Sequence, residues 1–119
     1  MNSDLLLKRN VEPLKGALER LLQLRGVTFE WEEPEKHGNE TGVLIGMIGQ
    51  EVEKVFPEWV KIDQGGYRNV KFIGFEALTV EALRELQVEN EALKAVQGTL
   101  KAENEALRQR VDELEKRIR

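Results

Sequence analysis

Leu86, Leu93, Leu100, Leu107 and Leu114 recur every seven residues, without a break, over the last third of a 119-residue chain. A seven-residue apolar repeat sustained this long specifies helices wound around one another. A fold for this sequence must therefore end in a helix that cannot bury its own apolar seam. The active unit is expected to be several chains rather than one.

Placing the leucines at heptad position d puts Leu83, Asn90, Gln97, Asn104, Val111 and Ile118 at position a. The opposite frame would set Glu89, Glu103, Arg110 and Arg117 in the seam and bury their charges. With leucine at d, Glu89 faces Lys94, Glu103 faces Arg108 and Arg110 faces Glu115 across neighbouring helices. Val96 with Lys101 lacks a charge pair. Opposite signs at these positions suit a parallel, in-register assembly. The polar a residues cost stability and fix the register. They leave the strand number open: Val, Ile and Asn at a with Leu at d lean toward two strands, and Gln97 is compatible with three. Residues 89–93 and 103–107 both read ENEAL, an echo two heptads apart.

Such a stalk leaves room for one small domain, with a core modest enough to be helped by oligomerisation. The net charge is −4, with 34% charged residues of mixed sign, which is no nucleic-acid footprint. A leucine-zipper DNA binder would need a basic region before the heptads. Residues 74–88 instead hold Arg84 among Glu76, Glu81 and Glu85. Without cysteine there is no disulfide framework and no thiol chemistry. No apolar run approaches the ~20 residues a membrane helix needs. Residues 5–7 are too short for the core of a signal peptide. The chain begins almost directly on its first motif, as the C-terminal piece of a longer protein would.

Residues 12–24 read as an amphipathic helix, with Pro13 in its first turn, an apolar stripe of Leu14, Ala17, Leu18, Leu21 and Leu22, and Gly26 at its end. Val27, Phe29 and Trp31 alternate with polar residues as a half-buried strand. Residues 32–42 are polar and rich in turn formers. A second strand over 43–48 contains Gly46, and a short helix over 50–55 is stopped by Pro57. Residues 59–62 and 67–72 form a hairpin about Gly65 and Gly66. From Phe75 a helix runs to the end, on the order of 65 Å long. The expected class is α+β: a mixed head over 1–74 and a coiled-coil stalk over 75–119.

His37, the one histidine, lies in the polar loop and reads as solvated. Without cysteine or a second histidine no metal site is expected, and without GxGxxG or Walker A no cofactor. At the N-terminus, Ser3 stands five residues before Lys8, with Leu5, Leu6 and Leu7 between. A serine attacks only when a base takes its proton, and a lysine is a base only when apolar surroundings keep it neutral. The leucines could supply such surroundings. By spacing alone, Ser3-Asp4 reads more readily as a helix cap and Lys8 as a surface charge.

Four blocks change that weighting. Ser3-Asp4-Leu5-Leu6-Leu7-Lys8-Arg9-Asn10 is followed by Leu24-Arg25-Gly26-Val27-Thr28-Phe29-Glu30-Trp31. Next stands Ile48-Gly49-Gln50-Glu51-Val52-Glu53-Lys54-Val55-Phe56-Pro57-Glu58-Trp59-Val60. Tyr67-Arg68-Asn69-Val70-Lys71-Phe72 then leads into Thr79-Val80-Glu81-Ala82-Leu83-Arg84-Glu85-Leu86. In this order they resemble the self-cleaving intramolecular chaperone domain that ends phage endosialidase tailspikes, neck appendages and tail fibres. A related domain occurs in the eukaryotic myelin regulatory factor.

The resemblance implies a serine–lysine autoprotease. Ser3 would attack the carbonyl of Asn2, Lys8 would act as general base, and the domain would leave its upstream passenger. It also implies a parallel homotrimer rather than a dimer, with the a and d residues from Leu83 to Ile118 as the interface. The partners are then other copies of the chain and the passenger, and the setting is a virion or the bacterial cytoplasm during assembly. Leu6 stands where the family has an arginine that could position the scissile segment, so cleavage rate is the property this departure touches. The alternative is an uncleaved trimerisation module with an inactive dyad.

Overall fold

A computed structural model describes residues 1–118. In chain order the elements are α1 (Ala17–Leu21), β1 (Val27–Phe29), β2 (Leu44–Gly46), α2 (Gly49–Val55), β3 (Val60–Ile62), β4 (Arg68–Val70) and α3 (Phe75–Ile118). Short 3-10 turns lie at Leu5–Leu7, Pro34–Lys36 and Pro57–Trp59. A mixed head followed by a long C-terminal helix is thus the observed class. The chain divides into a compact unit, Met1–Ala82, and a second unit that begins at Leu83.

The strands make two separate antiparallel ribbons. In one, Val27 pairs with Gly46 and Phe29 with Leu44. In the other, Val60 pairs with Val70 and Ile62 with Arg68. Gly46 is a glycine for a packing reason, since a Cβ there would lie 3.0 Å from the Phe29 ring. The helix expected over 12–24 is only five residues long. Gly16 takes φ +74° and acts as the N-cap of α1. That left-handed residue ends any helical run coming from Pro13. Ala17 is buried and Leu18 and Leu21 pack on the core, whereas Leu14 and Leu22 are exposed.

The core joins α1, α2, the turn that follows it and the start of α3: Ala17, Val52, Phe56, Trp59, Leu78 and Ala82. Trp59 is its centre. The residue expected to open a strand instead closes the turn Pro57–Trp59, after Pro57 has ended α2. Its ring stacks on Phe56 at 3.9 Å and meets Phe72 edge-on at 5.3 Å. Its Nε1–H donates to the Ile73 carbonyl at 2.9 Å. The Arg20 guanidinium lies 4.2 Å from the centre of the Phe56 ring.

Two surface carboxylates tie this head together. Arg25 forks onto Glu51 at 2.7 and 2.9 Å, and those hydrogen bonds hold the Glu51 carboxyl below its ordinary 4.5. Asp63 accepts from the N–H groups of Tyr67 and Gly65 and from Asn69 Nδ2 across the β3–β4 turn. These bonds, the one from Tyr67 foremost, hold Asp63 below its ordinary 3.8. A carboxyl depressed in the folded state adds stability that is full above its unfolded pKa and lost as pH falls through the folded one. The head's melting temperature should therefore drop as pH is lowered below 4.5. Arg25→Gln and Asp63→Asn should each make that drop shallower in thermal melts across the acid range. Equal slopes in all three proteins would contradict this.

Candidate functional site

The residues singled out at the N-terminus sit around one turn. Asp4 is its N-cap: Asp4 Oδ1 accepts the Leu6 N–H at 2.9 Å, and the Asp4 carbonyl accepts the Leu7 N–H at 3.1 Å. The Leu5 carbonyl accepts the Lys8 N–H at 3.1 Å, which closes the turn. Ser3 precedes the cap and Lys8 follows the last turn residue in extended backbone, φ −119° and ψ 151°. Asn10 then takes φ +56°, a left-handed conformation that asparagine tolerates better than most residues.

The structure therefore places Ser3 and Lys8 at the two ends of a single hydrogen-bonded turn, and Asn2 directly before it. It does not bury them. Residues 1–16 are all exposed, Lys8 among them. Leu5, Leu6 and Leu7 are 71, 92 and 68% exposed, so within one chain they do not shelter the amine. The reason is local geometry. A 3-10 turn has three residues per revolution, so three consecutive side chains splay in three directions and form no common apolar face.

Along α3, Leu83, Leu86, Leu93, Leu100, Leu107, Val111, Leu114 and Ile118 are all exposed, as are Asn90, Gln97 and Asn104 among them. The five d leucines are 41–61% exposed, so nothing among the described residues covers the seam. His37 is not free in its loop. After the turn Pro34–Lys36 its ring stacks on Trp31 at 3.7 Å, 9° from parallel. Sequence reading missed this pair, because five residues of polar loop separate the two rings along the chain. Among the described residues no group of three His, Cys, Asp or Glu is placed to hold a metal.

Residues 3–61 match the model of a family described as the chaperone of endosialidase. The head belongs to that family. The match begins on Ser3 and ends on Lys61 in β3, so it takes in the capped turn, both strands of the first ribbon, α2 and Trp59. Among curated relatives, a long tail fiber protein, Gp37, of Salmonella phage S16 is 27% identical over 106 residues. Those residues cover 85% of this chain and 14% of the relative, so the chain spans about a seventh of that protein's length. The chaperone-of-endosialidase head thus carries Ser3, Asp4 and Lys8 at the start of its matched segment.

Proposed function

We propose that this chain is an intramolecular chaperone that aligns three copies of an upstream fibrous passenger, of tail-fibre type, and then cuts itself free. The observation that carries the reading is the family match, which begins at Ser3 and includes Lys8. The uncovered seam of α3 supports the oligomer, and the Glu89–Lys94, Glu103–Arg108 and Arg110–Glu115 pairings support parallel helices. Long fibrous shafts have mainly non-local contacts and register their chains slowly. Helices that align first would raise the local concentration of the passenger chains.

In the proposed cleavage, Ser3 Oγ attacks the carbonyl carbon of Asn2 while Lys8 Nζ takes the hydroxyl proton. The Asn2–Ser3 peptide bond breaks, the proton passes to the Ser3 nitrogen, and Asn2 is left as an ester on Oγ. Water hydrolyses that ester, giving an Asn2 carboxylate and restoring the serine hydroxyl. Lys8 can serve as the base only if it is shielded from water, and neighbouring copies would provide that cover after assembly. The second reading is an uncleaved trimerisation module, and Leu6 in place of the family arginine favours it.

The test of the chaperone role is assembly. A fibrous passenger is expressed with this chain behind it and, separately, without it. The first should sediment as trimers, and the second as monomers or aggregates. A passenger that trimerises equally well alone removes the proposal.

A further inference from the structure

We propose that Asp4 is a positioning residue for the cleavage, holding Ser3 and Lys8 at the two ends of one turn through its backbone cap rather than through its charge. The inference rests on the reading of Ser3 as nucleophile and Lys8 as base.

The turn Leu5–Leu7 has no buried residue, so the core does not hold it. Three local hydrogen bonds define it: Asp4 Oδ1 with the Leu6 N–H, the Asp4 carbonyl with Leu7, and the Leu5 carbonyl with Lys8. Only the first comes from a side chain. Fully extended, five residues could separate Ser3 from Lys8 by about 17 Å. A 3-10 turn advances only about 2 Å per residue and draws the two ends inward. Isolated short turns are marginal in water, so the cap sets how often this one is formed.

A charge role would work against the chemistry. A carboxylate close to an amine favours the protonated form, which cannot accept the serine proton. Among the described residues Asp4 makes no ion pair with Lys8. Its Oδ1 is engaged with a backbone N–H instead. Asparagine and serine cap as well as aspartate does, and alanine does not.

The experiment follows single-turnover cleavage of the full chain behind a passenger, in assembled protein. Asp4→Asn and Asp4→Ser should cleave within about twofold of wild type, since both retain the cap. Asp4→Ala should be slower by about fivefold, the equilibrium factor that an ordinary cap carries. The factor should be the same at every pH, because the defect is geometric. The head's melting temperature should stay constant throughout, since the turn buries nothing. Asp4→Ala at the wild-type rate would overturn the inference, as would Asp4→Asn as slow as Asp4→Ala. A Ser3→Ala control separates the two levels. If wild type and Ser3→Ala behave alike, the dyad itself falls and this role falls with it.

Discussion

A precursor with a passenger ahead of Met1 should run as two bands on a denaturing gel, and its Ser3→Ala variant as one full-length band. Alanine has no atom with which to attack the Asn2 carbonyl, so the variant retains only the background hydrolysis of a peptide bond. Lys8→Ala keeps the hydroxyl but removes the group that takes its proton, and loss of such a base slows a reaction by roughly 100- to 10,000-fold. Lys8→Arg should be as inactive as Lys8→Ala, because a guanidinium stays protonated at any working pH. That result separates a base from a surface charge. A positive charge holding the turn by electrostatics would survive the exchange, and a proton acceptor would not. Full-length bands of equal intensity in wild type and all three variants would leave an uncleaved module. Cleavage in all four would move the reaction to other residues.

The long C-terminal helix was legible because a seven-residue apolar period requires a helix, and α3 runs from Phe75 to Ile118. The strands of the first ribbon were legible from alternation at Val27 to Trp31 and the apolar run after it, though not their pairing, and the second ribbon from the glycines between Ile62 and Tyr67. The first helix was misjudged in length. Its apolar spacing continues through Gly16, and periodicity does not register a backbone that turns left-handed. Trp59 reads as the start of a strand because it adjoins the apolar Val60 and Ile62, whereas Pro57 has already imposed a turn. The stack of His37 on Trp31 depends on the path of a loop, which composition does not encode. At the candidate site the sequence supplies residue types, order and spacing. The cap of Asp4 followed from residue preference, and the splaying of Leu5, Leu6 and Leu7 did not, because whether three leucines share a face depends on the kind of helix they adopt.

Trp59→Ala should lower the head's melting temperature by more than about 10 °C, the largest effect of any single core change. Truncating a buried tryptophan costs about 3–5 kcal/mol. A domain of this size has roughly 4–12 kcal/mol to lose, and each kcal/mol is worth about 4–8 °C. The position explains why the loss would not stay local. Trp59 is 1% exposed, and its neighbours come from separate parts of the chain: Phe56 at the end of α2, Phe72 after β4, and Phe75 at the first residue of α3. Its carbonyl accepts the Lys71 N–H at 2.7 Å, and its indole N–H holds the Ile73 carbonyl. Trp59→Phe keeps most of the apolar volume but leaves that carbonyl without its partner. Its cost should be about 1–3 kcal/mol, clearly smaller than that of alanine. Amide hydrogen exchange distinguishes the cases. In Trp59→Ala the N–H groups of Lys71 and of the β3–β4 ribbon should lose protection, while those between Leu93 and Leu114 keep theirs. Protection lost equally in both regions would mean that the second unit depends on the head's core. Protection unchanged in the ribbon would mean that the aromatic stack does not hold the head. In the proposed mechanism Lys8 is shielded by neighbouring copies, and that assembly needs a folded head, so Trp59→Ala should also slow self-cleavage with every atom of the dyad in place. A cleavage rate that survives the loss of ribbon protection would show that the capped turn acts without the domain behind it.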